Sequence, residues 1–487
     1  MITINDNHRK WWIAFAMSAC LAMVYLDQTG VALTLENMRY SLNLSVIEVQ
    51  WVVNAYLLTL AVFMLFGGRL ADIFGQKKIF LIGMLIFLLA SILCAIASTG
   101  WLMIISRALQ GLGGAMLIPT SIVLIAQSTS IDERGKMIGF SISLASIFLA
   151  FGPTIGGLLT QFWSWRLIFW INLPIGLLSI LLTILSISNH SKGDSSKIDW
   201  PGFIMLSLSL TSLITAFMQT TTWGFISFYT IILFISFFIF FTIFILIELR
   251  SNKPLVNLKL FHHQTFFTGN VILFLLQSCH ISSAVFWVLY LQNVLGYSSG
   301  KAGVFILPVT IPVIFCASMS GKLLDRYGAR LPILLGMFLA LSGVVWVAIF
   351  ATYHNYSLMF IGFLLYGIGA PLVIPAAMTS VLSSVAHEDH GMASGMANSM
   401  RQIGGALGLS IIGSVIIAVT NAKLNYHSNV SHHEAFGSAY ASAFSVGMIV
   451  AALFAFIAFA LAFFMLSNDR SKQNVIASKV NYALEEM

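Results

Sequence analysis

Gly68-Arg69-Leu70-Ala71-Asp72-Ile73-Phe74-Gly75 returns 253 residues later as Gly321-Lys322-Leu323-Leu324-Asp325-Arg326-Tyr327-Gly328. Each octet has glycine at both ends, a basic residue second and Asp fifth, and each sits between two apolar runs. Working outward, Gly83-Met84 matches Gly336-Met337 at the same offset. At an offset of 256, Gly111-Leu112-Gly113 matches Gly367-Ile368-Gly369, Ile118-Pro119 matches Ile374-Pro375, and Gly135 and Gly139 match Gly391 and Gly395. Matches that keep one order along the chain point to duplication. The chain reads as two related halves.

Composition says what the halves are made of. Of 487 residues, 59% are hydrophobic and 8% charged, with mean hydropathy +0.93. A water-soluble domain carries about 25% charged residues, so this chain cannot clothe a soluble surface. The 39 Phe and 11 Trp exclude a disordered chain. Apolar stretches of about 20 residues recur, the length of a membrane-spanning helix. The alternating ten-residue segments of a β-barrel are not seen. Cys20, Cys94, Cys279 and Cys316 all fall inside apolar runs and read as small buried hydrophobes. Met17-Ser18-Ala19-Cys20 loosely matches a lipoprotein cleavage box, but the apolar run continues past it, so the first helix is expected to be retained.

Fourteen spans follow, near 11–35, 48–66, 79–98, 101–125, 136–160, 167–187, 201–220, 226–248, 264–294, 302–320, 331–352, 356–382, 391–420 and 440–466. Spans 1–6 and 9–14 are the repeated halves, and spans 7 and 8 are an insert. This predicts an N-terminal bundle over 1–190, two inserted helices with linkers over 191–260, a C-terminal bundle over 261–470 and a tail over 471–487. An even span count puts both termini on one side. Of 24 Lys and Arg, 18 fall on that side, four opposite and two within spans. The positive-inside rule makes the terminal side cytoplasmic, and the cell's inner membrane is the expected location. Both octets lie on that side, so the halves are parallel repeats. Six-helix parallel repeats around a midplane site are a transporter architecture.

Away from span ends, only three of the 41 charged residues fall within spans: Asp27, Arg107 and Arg401. His280 is a fourth ionisable group there, at the repeat position of Asp27. A charge at mid-bilayer costs about 2.5–3.5 kcal/mol on insertion scales. At a rise of about 1.5 Å per residue, Asp27 lies about 24 Å from the terminal face and Arg107 about 9 Å below the other. In a core of about 30 Å these levels coincide, and His280 reaches the same level. Asp27 is therefore the candidate proton-coupling carboxylate and Arg107 its partner; a static buried ion pair is the plain alternative. His280 is either a second titrating group or a neutral ring bonded within the bundle. Arg401 is a site for an anionic group or a partner of its neighbours Asn398 and Gln402. Asn54, Tyr56, Gln110, Gln277 and Asn398 join Arg401 as candidates to line a substrate cavity.

These residues resemble the major facilitator superfamily, in its fourteen-helix drug:proton antiporter branch. The resemblance covers nearly the whole chain. It rests on Gly68-x-Leu70-Ala71-Asp72-x-x-Gly75-x-Lys77-Lys78, with Gln76 where a basic residue is usual, and on Arg107-x-x-Gln110-Gly111-x-Gly113. It rests further on Gly152-Pro153-x-x-Gly156-Gly157, Leu26-Asp27-x-Thr29 and Gln50-Trp51-Val52-x-Asn54-Ala55-Tyr56. Trp165-Arg166-x-Ile168-Phe169-x-Ile171-Asn172-x-Pro174-Ile175-Gly176, Asp199-Trp200-x-Gly202 and Arg401-Gln402-x-Gly404-Gly405 complete it. The resemblance implies an all-α major facilitator fold, proton-driven export of small amphipathic or lipophilic compounds by alternating access, and no cofactor beyond the proton gradient. It makes Gly68, Asp72, Gly75, Arg134 and Asp325 gate residues of the terminal-side loops. It makes Gly152, Pro153, Gly156 and Gly157 a leak-limiting face near the outer gate, where plain helix packing is the alternative. Unlike exporters of dicationic compounds, spans 9–14 hold no acid, which favours monovalent, neutral, zwitterionic or anionic cargo.

Other classes are poorly supplied. No Gly-Lys pair is followed by Ser or Thr, so there is no phosphate-binding loop for ATP. His262-His263, His387 with His390, and His432-His433 lie in loops without Cys or an H-E-x-x-H pattern, so neither a metal centre nor an enzyme is expected. Nucleic acid is excluded, because the +7 charge is spread over short loops. The expected partners are the cargo, protons and lipid, with the chain acting as a monomer. The polar segment 421–439 is a candidate contact for a periplasmic adaptor protein or a plain solvated hairpin. Export of one endogenous metabolite or siderophore, and uptake, stay open beside drug efflux.

Overall fold

The computed structural model describes residues 6–129, 131–187, 199–251, 254–386, 390–426 and 432–466. They form helices α1 (Asp6–Gly30), α2 (Leu35–Leu42), α3 (Val46–Phe74), α4 (Gln76–Ile96), α5 (Gly100–Gln127) and α6 (Ile131–Phe162). Next come α7 (Leu167–Trp170), α8 (Asn172–Ser186), α9 (Trp200–Trp223), α10 (Phe228–Arg250), α11 (Gln264–Asn293) and α12 (Ser299–Phe305). The last are α13 (Leu307–Tyr327), α14 (Arg330–Phe350), α15 (Tyr356–Ser383), α16 (His390–Tyr426) and α17 (His432–Met465). Among the described residues there is no strand, and fourteen stretches are long and apolar enough to cross a membrane. Three of them are assembled from pieces: α1 with α2, α7 with α8, and α12 with α13.

Local chemistry sets the ends. On the side away from the termini, Ser45 caps α3 through a reciprocal pair with Glu48, and Thr99, Ser227, Ser298 and Asn355 cap α5, α10, α12 and α15. On the terminal side, α3 and α13 stop at Gly75 and Gly328, with φ of 94° and 80°. Only glycine takes that backbone without strain, so the octets' last glycines turn the chain alike in both halves. The repeat shows again in packing. A Cβ on Gly83 would strike Met116 Cβ on the facing helix, and one on Gly113, Gly336 or Gly369 would strike facing backbone.

The ends of the last two spans differ from the sequence reading. Helix α16 runs to Tyr426 and α17 begins at His432, so most of the segment read as an outer loop is helix. Asn421-Ala422-Lys423-Leu424-Asn425-Tyr426 is polar but holds no Gly or Pro. Polarity there marks the exit from an apolar phase, not the end of hydrogen bonding. Residues 188–198, 387–389, 427–431 and 467–487 lie outside the described residues, and with them His387 and the tail.

Within the first half, α1 packs on α6 and α8, and α5 on α3 and α4; within the second, α15 packs on α13 and α14, and α11 on α16 and α17. The halves meet along two seams, α3 against α16 and α6 against α12 and α13. Inserted helix α9 lies over the first seam, touching both α3 and α16, and α10 packs on α9. Only 11% of the most apolar window of α10 is buried. With Phe228, Phe238 and Leu249 exposed on it, it presents an apolar face that only lipid covers without cost. The chain is a multi-pass membrane protein.

Candidate functional site

Asp27, on α1, is fully buried. Its Oδ2 accepts from Arg107 Nη1 at 2.6 Å. Its Oδ1 accepts from Gln110 Nε2 at 2.9 Å and Asn172 Nδ2 at 3.3 Å. Arg107 and Gln110 stand one turn apart on α5, and Arg107 Nη1 also donates to Gln110 Oε1 at 2.5 Å. Arg107 Nε donates to the Val52 carbonyl at 3.1 Å, and its guanidinium lies 4.3 Å from the Tyr56 ring centroid. Gln110 and Asn172 both reach Ser91 Oγ, at 2.9 and 3.3 Å. The cluster draws on α1, α3, α4, α5 and α8. It neutralises a buried charge pair with surrounding donors and acceptors, the condition under which such a pair can persist.

Asp27 and Arg107, level with each other along their helices, meet, but His280 stands apart. It sits on α11, its Nδ1 3.2 Å from the Tyr366 hydroxyl and its ring stacked at 5.8 Å. The six cavity candidates do not share one wall. Gln110 and Tyr56 belong to the charge cluster. Asn54 is buried at the α3–α16 seam, donating to Ser410 Oγ at 3.1 Å. Gln277 is 5% exposed at the α11–α16 contact. Asn398 and Arg401 are half-buried on α16, joined at 3.4 Å. Periodicity could not separate these, because a polar residue in an apolar helix faces either a cavity or a buried partner. Asn172 and Ser91 were missed for the same reason, although Asn172 lies within a quoted motif.

At the terminal-side loops, Asp72 is exposed and accepts from Gln76 Nε2 at 2.9 Å. The amide at the position where a basic residue is usual still binds the acid. Gly68 and Gly321 have open space where a Cβ would stand, and Asp325 is exposed. The Arg134 side chain lies outside the described residues.

The glycine face of α6 lets it approach both halves closely. A Cβ on Gly152 would overlap Thr29, one on Gly156 the Gly30 carbonyl, and one on Gly157 the Ser299 carbonyl in the other half. Pro153 lies inside the continuous α6, and a Cβ on Gly303 would meet its carbonyl. Polar bonds cross between halves at this distal end: Thr154 Oγ1 to Gly303 O (2.8 Å), Ser299 Oγ to Asn37 Oδ1 (2.8 Å) and Gln292 Nε2 to Leu33 O (3.1 Å). A cavity of about 90 Å³ remains there, with Glu36, Gln50, Asn293 and Tyr440 in its wall. At the terminal end, Lys10 pairs with Glu133 at 2.7 Å and Arg330 Nη2 donates to Phe463 O at 2.8 Å, each inside one half.

Two six-helix repeats closing on each other at one end define a secondary-transporter fold. The chain belongs to the Major Facilitator Superfamily, whose family profile matches residues 17–409. It is 32% identical over 394 residues to the multidrug resistance protein Stp of Mycobacterium tuberculosis, covering 80% of this chain and 72% of that one. It is 30% identical over 387 residues to the tetracenomycin C resistance and export protein of Streptomyces glaucescens, covering 79% and 72%. Among solved structures, a bacterial homologue of the human lysosomal transporter Spinster superposes with TM-score 0.68 at 15% identity, over 94% of this chain and 97% of that one.

Proposed function

We propose that the protein is a proton-coupled antiporter that exports small amphipathic or lipophilic compounds from the cell by alternating access, as a monomer in the cell membrane with both termini in the cytoplasm. The observation that carries the coupling is the enclosure of Asp27, the only acid that the sequence reading leaves inside the two bundles. Both its oxygens are occupied by donors. A proton on Asp27 would remove the charge that holds Arg107 and compete with these donors, so protonation and helix position are linked. Rotation of the Gln110 amide would turn its carbonyl toward a protonated Asp27 and leave Arg107 held by Val52 O and the Tyr56 ring. That is a two-state element biased by a proton.

The distal seal formed by α6, α12 and the end of α1 is the closed gate of this reading, and the route from the cytoplasm is the other end. The eighteen-to-four bias of Lys and Arg supports the orientation. The printed roles of the relatives, multidrug resistance and tetracenomycin export, support cargo leaving the cell. The driving force is about 2.3 kcal/mol per charge per 100 mV.

The test is cargo movement in oriented vesicles. Inside-out vesicles carrying the protein should accumulate a lipophilic dye when the lumen is acidified, and a protonophore should stop them. Accumulation only in right-side-out vesicles would replace export by uptake. A protonophore-insensitive flux would remove the coupling. A susceptibility screen in a pump-deficient host then defines the cargo range.

A further inference from the structure

The two intramembrane arginines are in opposite electrostatic situations. Arg107 has a carboxylate, an amide oxygen, a backbone carbonyl and an aromatic face. Arg401 Nε is buried with no hydrogen-bond partner, and its one bond is Nη1 to Asn398 Oδ1 at 3.4 Å, the long edge of hydrogen bonding. None of the ion pairs among the described residues includes it. An uncompensated guanidinium in a membrane interior costs several kcal/mol, and the second half offers no acid in its spans. Among the described residues no acid supplies its countercharge.

Its surroundings say what shape that countercharge has. Arg401 lies one turn before the glycines that seat α16 on α11, where Gly404 meets Phe274 and Gly408 meets Ser278. The half-buried Tyr25 of α1 and the His280 ring of α11 are both within electrostatic reach of it. Helix α1 does not pack along α16, so Tyr25 approaches Arg401 from the other half. A guanidinium presents a planar fork of donors suited to carboxylate or sulfonate oxygens. Tyr25 adds a hydroxyl donor and an aromatic wall.

We propose that Arg401, with Asn398 and Tyr25, docks the anionic group of an amphipathic aromatic cargo such as a carboxylate or sulfonate. This assignment of cargo class rests on the efflux reading above. The experiment uses two dyes of one ring system, fluorescein (anionic) and a rhodamine ester (cationic). Binding is read by anisotropy on the full chain in nanodiscs, and transport by filtration of inside-out vesicles. The wild type should bind and move fluorescein in preference to the rhodamine. Arg401→Gln should weaken fluorescein binding about tenfold or more, the scale of one lost charged contact, and leave rhodamine binding unchanged. Arg401→Lys should keep part of it, and Tyr25→Phe should lose less than Arg401→Gln. Equal effects on both dyes, or none, overturn the proposal. Rhodamine transport without fluorescein binding overturns it and leaves efflux standing. Arg401-dependent fluorescein binding with neither dye transported keeps the site and removes the efflux reading. If Arg401→Gln fails to fold, displacement from the wild type decides: naphthoate must displace fluorescein and naphthylmethylammonium must not. Displacement by chloride as effective as by naphthoate would make this a simple inorganic-anion site and overturn the cargo assignment.

Discussion

Arg107 Nη1 stands 2.6 Å from Asp27 Oδ2, and both side chains are sealed from solvent at 1% and 0% exposure. Removing one member of such a pair leaves the other charged and buried, at a cost of about 3–5 kcal/mol. Asp27→Asn and Arg107→Gln should therefore each lower the melting temperature in detergent. The double variant should recover much of the loss, because no charge remains. Proton-driven transport should be absent from all three, while cargo counterflow at equal pH persists in the double variant. Recovery of proton-driven transport along with stability would reduce the pair to a static brace.

The distal seal makes a separate prediction. Gly157 has the Ser299 carbonyl and the Gly300 Cα where a side chain would go. Backbone so close has no rotamer with which to yield, so Gly157→Val must part α6 from α12. Proteoliposomes of this variant should lose an imposed pH gradient faster than wild type with no cargo present. The neighbouring Ser299, buried where its Oγ donates to Asn37 Oδ1 at 2.8 Å, should become accessible as Ser299→Cys to a polar thiol reagent added from the distal side. A variant that folds, holds the gradient and stays unlabelled would show that the glycine face only packs helices.

Much of this was legible in the sequence because membrane helices obey two simple constraints. Length fixes the spans, and charge, being expensive in lipid, accumulates where chain leaves it. Asp27 and Arg107 could be paired by counting residues, since a helix converts number into depth. The azimuth of a side chain around its helix was not legible. Asn54 and Asn398 are both polar interruptions of apolar runs, yet one is buried at a seam and the other is half-buried against Arg401. The distal seal was equally hidden, because Gly157 and Ser299 are brought together only by the docking of two halves.

The terminal-side octets separate backbone need from function. Gly75 and Gly328 hold φ of 94° and 80° with extended ψ, where an L side chain costs about 1–3 kcal/mol. Gly75→Ala and Gly328→Ala should each lower stability by that order. Gly68 and Gly321 have no heavy atom within 4 Å of a built Cβ, so alanine there should change stability by less than about 0.5 kcal/mol. Melting curves rank the four. A transport defect in Gly68→Ala at wild-type stability would mean that the glycine serves the moving gate, where this static packing shows nothing for a methyl to strike.

The inserted hairpin carries two acids, half-buried Asp199 and buried Glu248, with oxygens that face each other. Asp199 caps α9, its Oδ1 accepting from Gly202 N at 2.9 Å, and Glu248 of α10, only 4% exposed, accepts from Val256 N at 3.3 Å. The remaining oxygens, Asp199 Oδ2 and Glu248 Oε1, have no donor and converge on Gly202, about 3.1 and 3.0 Å from where its Cβ would be. A buried polar atom left unpaired costs about 1–3 kcal/mol, and here two acceptors share the deficit. Glu248→Gln keeps the shape and supplies an amide donor aimed at Asp199, so it should raise the melting temperature at neutral pH. Gly202→Ala should lower it, because the methyl group would strike both oxygens. The hairpin lies on the α3–α16 seam without contributing to the Asp27 cluster, so neither change should alter the pH dependence of transport. If Glu248→Gln melts below the wild type, the two carboxyl groups are already joined by a shared proton that the amide cannot replace.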